Sequence, residues 1–345
     1  MSLARAIVTG DLAELPSRRD EAWRWTDLRG LVRALPPASP ESRAALAPGP
    51  FDGLARSQAA IVNGRGPAGI AVPAGARESL ALRFVATADA GAHAAHYAVQ
   101  VADGGQFILL ESYEGARSSY VADVDLTIRL GRGATVERIV IAGDSDEAVS
   151  VSTAQVTLGP EASFSQIVLT SGARRQRIET HVTHPGAGAS ARLDGVYLLA
   201  DKRHADITTV VTHGGADGAT EQLTKGVVRD QARGVFQGRI VVAKGADKTD
   251  ARMGHHALIL SDRAEVDAKP ELEIYADDVL CAHGNTVGAL DEEALFYARQ
   301  RGIPEGQAKA MLMQAFVGEV IDRIGDDGAR RIAAAWVAER LGAAP

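Results

Sequence analysis

A repeat of 27 to 28 residues in the middle of the chain limits what it can fold into. Each copy places short runs of β-branched residues on either side of a glycine turn, with an alanine after the turn. These alanines are Ala134, Ala162 and Ala189, spaced 28 and 27 residues apart. The segments are "IRLGRGATVERIVIAG" (128–143), "VTLGPEASFSQIVLTSG" (156–172) and "VTHPGAGASARLDGVYLLAD" (182–201), with a looser copy at 239–275.

Such a period is typical of stacked coils, as in a β-solenoid or β-helix. The strands of one coil cannot bury their inward face alone, but stacked coils bury it continuously. A β-sandwich would also give short strands separated by turns, yet the repeat favours the β-helix. The 36 glycines and the aromatic content of only 5% suit a turn-rich β architecture.

We divide the chain into an N-terminal helical region (1–50), a β-helix core (51–288) and a C-terminal helical region (289–345). In the first region, Ser17 and Asp20 resemble a capping box. They predict a helix with Trp23 and Leu31 near its apolar side. Proline and serine in "PPASPESRAALAPGP" then predict a linker.

The C-terminal region predicts three helices. Asp291 is the expected N-cap of the first and Gly302 its stop, while Pro304 opens the second and Ala329 lies at the start of the third. The predicted apolar stripe of the second helix consists of Ala308, Met311, Leu312, Ala315, Phe316, Val320, Ile321 and Ile324.

Composition narrows the function classes. The net charge of −7 and the pI of about 5.8 argue against a nucleic-acid or anionic-membrane partner, because both require a basic face. A single cysteine allows no internal disulfide and fits a reducing compartment. The sequence has no apolar leader or membrane-length stretch, so we expect a soluble, cytoplasmic protein.

The lone cysteine, Cys281, stands two residues before His283 in "YADDVLCAHGNTVG". On a strand, residues i and i+2 point to the same face, so thiol and imidazole would project together. Both groups bind borderline and soft metals, but two ligands do not complete a tetrahedral site. The simpler alternative is a buried cysteine and a hydrogen-bonded histidine.

Other polar residues carry weaker signals. His255 and His256 are adjacent, so on a strand they face opposite ways and cannot share one metal without a bend. Asp277 and Asp278 are typical of a turn rather than of an acid–base pair. Coil stacking would bring together some of the scattered histidines, which are His181, His184, His204 and His213. The chain lacks P-loop, G-x-S-x-G, H-E-x-x-H and C-x-x-C motifs.

Longer motifs resemble a known family. "SDRAEVDAKPELEIYADDV" (261–279) is followed by C-x-H-G-x-T-V-G and by DEEALFY-x-R-x-RGI, and "LPSRRDEAWRWTDL" (15–28) precedes the repeats. Together they resemble the SufB/SufD family of iron–sulfur cluster assembly scaffolds. The first run and "RRDEAWRWT" indicate the SufD branch.

The resemblance implies a right-handed parallel β-helix between helical N- and C-terminal regions. It implies a non-enzymatic subunit that pairs with a SufB-like paralogue and holds one SufC-like ATPase through its C-terminal helices, for which we single out Met311 and Phe316. The family's functional positions carry over to Cys281 and His283, as ligands for iron or a nascent cluster at the SufB interface. The iron–sulfur cluster would be bound transiently in the complex and not stably by the isolated chain, which we expect to form a homodimer.

Some positions depart from the family pattern. Leu280 stands where a basic residue is common, and His255 and His256 lie in a stretch usually rich in Asn or Gln.

Two other functions fit the repeats. A β-helix enzyme acting on polysaccharide would place Asp, Arg or Lys along a groove on its flank. A stand-alone metal-binding protein would use the scattered histidines.

Overall fold

The chain folds into a parallel β-solenoid with helices at both ends. The computed structural model describes residues 1–42, 45–116 and 118–342. Each coil contributes one strand to each of two parallel sheets. The β-helix prediction is therefore confirmed, and the β-sandwich alternative is wrong.

The strands alternate between the sheets along the chain. The odd sheet contains β1 (Ser57–Val62), β3 (Arg77–Ala86), β5 (Gln106–Gly115), β7 (Thr135–Gly143), β9 (Ser163–Thr170), β11 (Ser190–Leu199), β13 (Ala219–Val228), β15 (Asp250–Ile259) and β17 (Leu280–Gly288), in that order. The even sheet contains β2 (Gly69–Val72), β4 (Ala92–Val101), β6 (Val121–Leu130), β8 (Val149–Leu158), β10 (Arg175–His184), β12 (His204–His213), β14 (Arg233–Val242) and β16 (Glu265–Ile274), also in order.

The repeated alanines lie at one corner of the coils. Each immediately precedes an odd strand and is fully buried. The carbonyl of Ala134 accepts a hydrogen bond from the amide of Ser163, and that of Ala162 accepts one from Ser190, one coil further on. A small side chain is needed here because the next coil stacks directly on the corner.

The three largest apolar clusters of the described residues form layers that hold the solenoid together. The first fills the lumen between the sheets, with residues such as Leu82, Ile128 and Phe236. The second lies between the outer face of the odd sheet and the C-terminal helices. The third lies under the N-terminal residues, where Leu3 and Leu28 pack on the outer face of the even sheet.

The helix predicted after Ser17 is wrong. The N-terminal region has one short helix, α1 (Leu3–Thr9), and two 3₁₀ turns at Leu12–Glu14 and Glu21–Trp23. The Ser17 amide does donate to the Asp20 carboxylate, as in a capping box. Apart from the second 3₁₀ turn, however, residues 18–35 are irregular, and we call this segment the N-terminal strap.

Contacts with the even sheet explain why the strap is not helical. The guanidinium of Arg177 lies 4.3 Å from the Trp23 ring centroid and donates to the Ala22 carbonyl. The buried Thr26 hydroxyl donates to Asp206, and the Trp25 carbonyl lies 3.0 Å from Nε2 of His204. The sheet thus uses backbone groups that a helix would consume internally.

The C-terminal helices are α2 (Glu292–Gln300), α3 (Glu305–Ile321) and α4 (Asp327–Gly342). As predicted, Asp291 caps α2 by accepting from two amides, and Gly302 has a left-handed φ of +82°. No helix in the described part of the chain has the length and apolar character needed to cross a membrane.

The apolar stripe predicted for α3 is partly wrong. Met311 and Ala315 are exposed, whereas Met313 and Val317, which the prediction omitted, are buried against the odd sheet. Ala308, Val320, Ile321 and Ile324 of the predicted stripe are buried. Because apolar residues occur around most of this helix, the sequence pattern identified its buried side only in part.

Candidate functional site

The last coil leaves one end of the solenoid open. Among the described residues, strand β17 pairs only with β15, and β16 pairs only with β14. Each therefore has a free edge with unpaired backbone groups, the arrangement to which another strand adds most readily. Exposed apolar side chains surround this end, namely Ile274, Tyr275, Leu280 and Val287.

The register brings Cys281 and His283 to the same face, as predicted. Cys281 pairs with Ala251 and His283 with Met253, and both partners belong to the lumen core. Because side chains alternate along a strand, Cys281, His283 and Asn285 all face the lumen at its open end.

The two residues differ in environment. Cys281 is half-buried against the lumen core. Burial, reinforced by the nearby Asp250 carboxylate, raises the pKa of its thiol, so the thiol stays protonated at neutral pH. His283 is exposed. Of the pair, His283 is thus the more accessible side chain.

His255 on β15 connects Asn285 at the open end to Tyr197 inside the lumen. His255 is buried and its ring lies parallel to Phe236, with centroids 4.8 Å apart. Its Nε2 lies 2.8 Å from the Tyr197 hydroxyl and its Nδ1 lies 2.6 Å from Oδ1 of Asn285. Burial lowers the pKa of His255 to about 4, so the ring is neutral at pH 7.

Sequence reasoning missed Asn285 and the link to His255. The alternation of β17 would have placed Asn285 beside His283, but only the register shows that His255 lies directly above it. His256 points to the opposite face, as expected for adjacent strand residues, and its Nδ1 lies 2.6 Å from the Thr286 hydroxyl.

Coil stacking brings together only two of the scattered histidines. His184 and His213 are paired in register, and their ring centroids are 4.4 Å apart in the buried lumen. His204 instead contacts the N-terminal strap, and His181 contacts Glu179. Burial lowers the pKa of His184 to about 3 and that of His213 to about 4.

The acidic pair singled out from the sequence lies in a turn, as its interpretation as a turn former requires. Asp277 and Asp278 are exposed between β16 and β17, where the Asp278 carbonyl accepts from the amide of Lys248.

Across residues 1–42, 45–116 and 118–342, no three His, Cys, Asp or Glu side chains are grouped so as to hold a metal ion. Within these described residues, Cys281 and His283 therefore have no third such side chain grouped with them.

The helical end presents a second surface. Met311 on α3 is 49% exposed, and Phe296 and Tyr297 on the adjoining α2 are more exposed still. Phe316 differs from Met311, because it packs against the odd sheet and its ring centroid lies 4.6 Å from Nζ of Lys225.

Comparison with known proteins agrees with these features. Residues 84–316 match the family model of the SUF system FeS cluster assembly SufBD core domain. The chain is 46% identical to the iron–sulfur cluster assembly protein SufD of Escherichia coli over 122 residues, which is 35% of this chain and 29% of that protein.

Two further relatives extend the match. A SufBD family protein of Synechocystis is 31% identical over 66% of this chain and 52% of its own length. A SufBD family protein of Mycobacterium leprae is 29% identical over 91% of this chain and 87% of its own length. The matched regions thus span about a third of the Escherichia coli protein, about half of the Synechocystis protein and most of the Mycobacterium leprae protein. The chain belongs to the SufBD family of iron–sulfur cluster assembly proteins.

Proposed function

We propose that this chain is a scaffold subunit that completes an iron–sulfur assembly site together with a SufB-like paralogue. The paralogue would dock on the open end of the solenoid, and a SufC-like ABC ATPase would bind the C-terminal helices. His283, with Cys281 in support, would bind iron or the nascent cluster. The chain itself would catalyse no reaction.

The open end carries this proposal. A parallel solenoid with a free edge at β17 can be extended by strands of a second chain, which would satisfy its backbone groups. Leu280 and Val287 would be removed from water in the same step. The proposed ligand His283 lies on this terminal strand and would become enclosed by the partner.

The incomplete ligand set supports a site shared between two chains. The imidazole of His283 is exposed to solvent, whereas the thiol of Cys281 is half-buried and burial raises its pKa. Thiolate and imidazole ligands suit iron and iron–sulfur centres. The paralogue would contribute the remaining ligands.

The helical surface supports the ATPase proposal. Phe296, Tyr297 and Met311 are large apolar side chains left in water on two adjoining helices. Exposed apolar residues of this kind are typical of protein-binding surfaces. We therefore keep Met311 as a contact, add the two aromatic residues, and propose that Phe316 acts indirectly by anchoring α3 to the sheet.

The test is co-expression with the SufB-like and SufC-like proteins, with mass measurement and visible absorption of the purified complex. Wild type should give a complex that contains this chain, its paralogue and two ATPases. His283→Ala should assemble equally well but lose the iron–sulfur chromophore. His181→Ala, which removes a histidine on the flank, is the matched control and should keep the chromophore.

A second set of variants tests the helical surface. The triple change Phe296→Ser, Tyr297→Ser and Met311→Ser should remove one ATPase and leave the paralogue bound. Replacement of Val8, which is more exposed than these three residues, by Ser should remove nothing. A wild-type chain that binds neither partner would overturn the proposal, and a His283→Ala complex with normal absorbance would overturn the ligand assignment.

A further inference from the structure

A chain of polar side chains runs through the lumen to the open end of the solenoid. It begins at Tyr197 on β11, passes through the His255 imidazole on β15 and ends at Asn285 on β17. The Tyr197 ring has room to reach His255 because Gly226 and Gly234 flank it. A Cβ at Gly226 would lie 2.0 Å from the ring.

The direction of these hydrogen bonds follows from the need to satisfy buried groups. A neutral imidazole has one N–H donor and one acceptor nitrogen. Within the described residues the buried Tyr197 hydroxyl contacts only His255, so its hydrogen must go to Nε2 or remain unsatisfied at a cost of about 1–3 kcal/mol. With Nε2 accepting, the proton is on Nδ1, which donates to Oδ1 of Asn285.

This direction fixes the orientation of the Asn285 amide. Its oxygen is occupied by His255, so its NH₂ group is turned away from the buried ring. Asn285 and His283 are two residues apart on one strand and share the lumen face at the open end. The opposite direction would instead present the amide oxygen, an acceptor that repels anions.

We propose that Asn285 is a further binding residue of the assembly site, and that its amide NH₂ donates a hydrogen bond to an anionic sulfur ligand of iron held at His283. Tyr197 and His255 are positioning residues that set the direction of this donor. The inference rests on the proposed function, since it assumes iron and sulfide beside His283. Hydrogen bonds to sulfur tune iron–sulfur centres and stabilise their negative charge.

The direction of the hydrogen bonds from Tyr197 through His255 to Asn285 can be measured without partners or metal. Long-range ¹H–¹⁵N correlation spectra of the isolated full-length protein should show His255 as the Nδ1–H tautomer, with assignment from the His255→Phe spectrum. Tyr197→Phe removes the donor and should shift the ring towards a tautomer mixture. A wild-type ring protonated at Nε2 would overturn the proposal, whatever the function of the protein.

The contribution to binding is measured in the complex with both partners. The probe is the rate at which an iron chelator bleaches the chromophore. Asn285→Ala should bleach about tenfold faster than wild type, the factor expected for one hydrogen bond to a charged acceptor. His255→Phe, which keeps a stacked ring against Phe236, should show a similar rate, and the double variant should be no faster than either single one.

Thr286→Ala is the matched control, because it removes the partner of His256 on the opposite face of the same strand. It should bleach as wild type does. If His283→Ala removes the chromophore while Asn285→Ala bleaches at the wild-type rate, the inference is overturned and the proposed function stands. If wild type carries no chromophore, the proposed function fails, and if His283→Ala keeps the chromophore, the ligand assignment of His283 fails. The inference fails in either case.

Discussion

At the scale of single residues, the lumen contains charged groups that the repeat does not reveal. Arg138 on β7 is fully buried and makes two hydrogen bonds, of 2.7 and 2.8 Å, to the buried Glu111 carboxylate. Its remaining Nη1 donates to Gln166, which also bonds to Thr180. The pair lies on the odd sheet and is linked through Gln166 to the even sheet across the lumen.

Arg138→Met should lower the free energy of unfolding by about 3–5 kcal/mol, because it leaves the Glu111 carboxylate buried without its partner. Glu111→Leu combined with Arg138→Met should recover most of this loss, since no unpaired charge remains. Urea unfolding of the two single variants and the double variant measures the coupling. Losses that simply add would contradict the account.

A second buried acid gives stability a defined pH dependence. Burial and the nearby Asp125 raise the pKa of Asp123 from 3.8 to about 7. The folded protein therefore binds more protons than the unfolded chain between these values, and stability falls as pH rises through this window. Asp123→Asn keeps an acceptor for the Ala4 amide and removes the titration.

The gain in unfolding free energy from Asp123→Asn should thus be larger at pH 8 than at pH 4, by at most roughly 4 kcal/mol. Urea unfolding at both values is the measurement. Asp125→Asn, at the exposed neighbouring site, serves as the control and should show a smaller change. An equal effect of Asp123→Asn at both pH values would exclude a raised pKa in the folded state.

At the scale of elements, β17 combines a free edge with exposed apolar residues. In the absence of the paralogue, two copies can satisfy these groups by pairing with each other. Light scattering at micromolar concentration should therefore show a homodimer. Val287→Lys should weaken it at least about tenfold, because pairing would bury an unpaired charge.

Val8→Lys is the control for added charge, since Val8 is exposed on α1 at a distance in sequence from β17. It should leave the dimer unchanged. A wild-type monomer at these concentrations would show that the free edge does not pair with itself.

The elements also show where sequence prediction succeeds. The bounds of α2 follow from Asp291 and Gly302, because capping depends on residues within one turn of the helix end. The N-terminal strap was mispredicted because its conformation depends on contacts such as that of Thr26 with Asp206, 180 residues away. No local pattern encodes a contact of that kind.

At the scale of the whole molecule, the C-terminal helices are part of the folded core. Val317, Val320 and Ile321 of α3 pack on the outer face of the odd sheet together with residues of α4 such as Val337. Removal of these helices would expose a continuous apolar face of the solenoid.

A truncation after Ala289 should therefore unfold at lower urea concentration than the full chain and bind a hydrophobic dye. The surface triple variant at Phe296, Tyr297 and Met311 should do neither, since those side chains already face water. Urea unfolding and dye fluorescence distinguish the two cases. A truncated chain as stable as the full one would mean that the helices only dock on a finished solenoid.

The sequence by itself determined the stacked coils, the caps of α2 and the shared face of Cys281 and His283. These features depend on periodicity and on neighbours a few residues apart. Only the tertiary structure decided that the N-terminal strap is irregular, which side of α3 is buried, and that His255 orients Asn285. Each of these depends on strands or segments that are distant in sequence and meet only when the coils stack, with a register that no single segment contains.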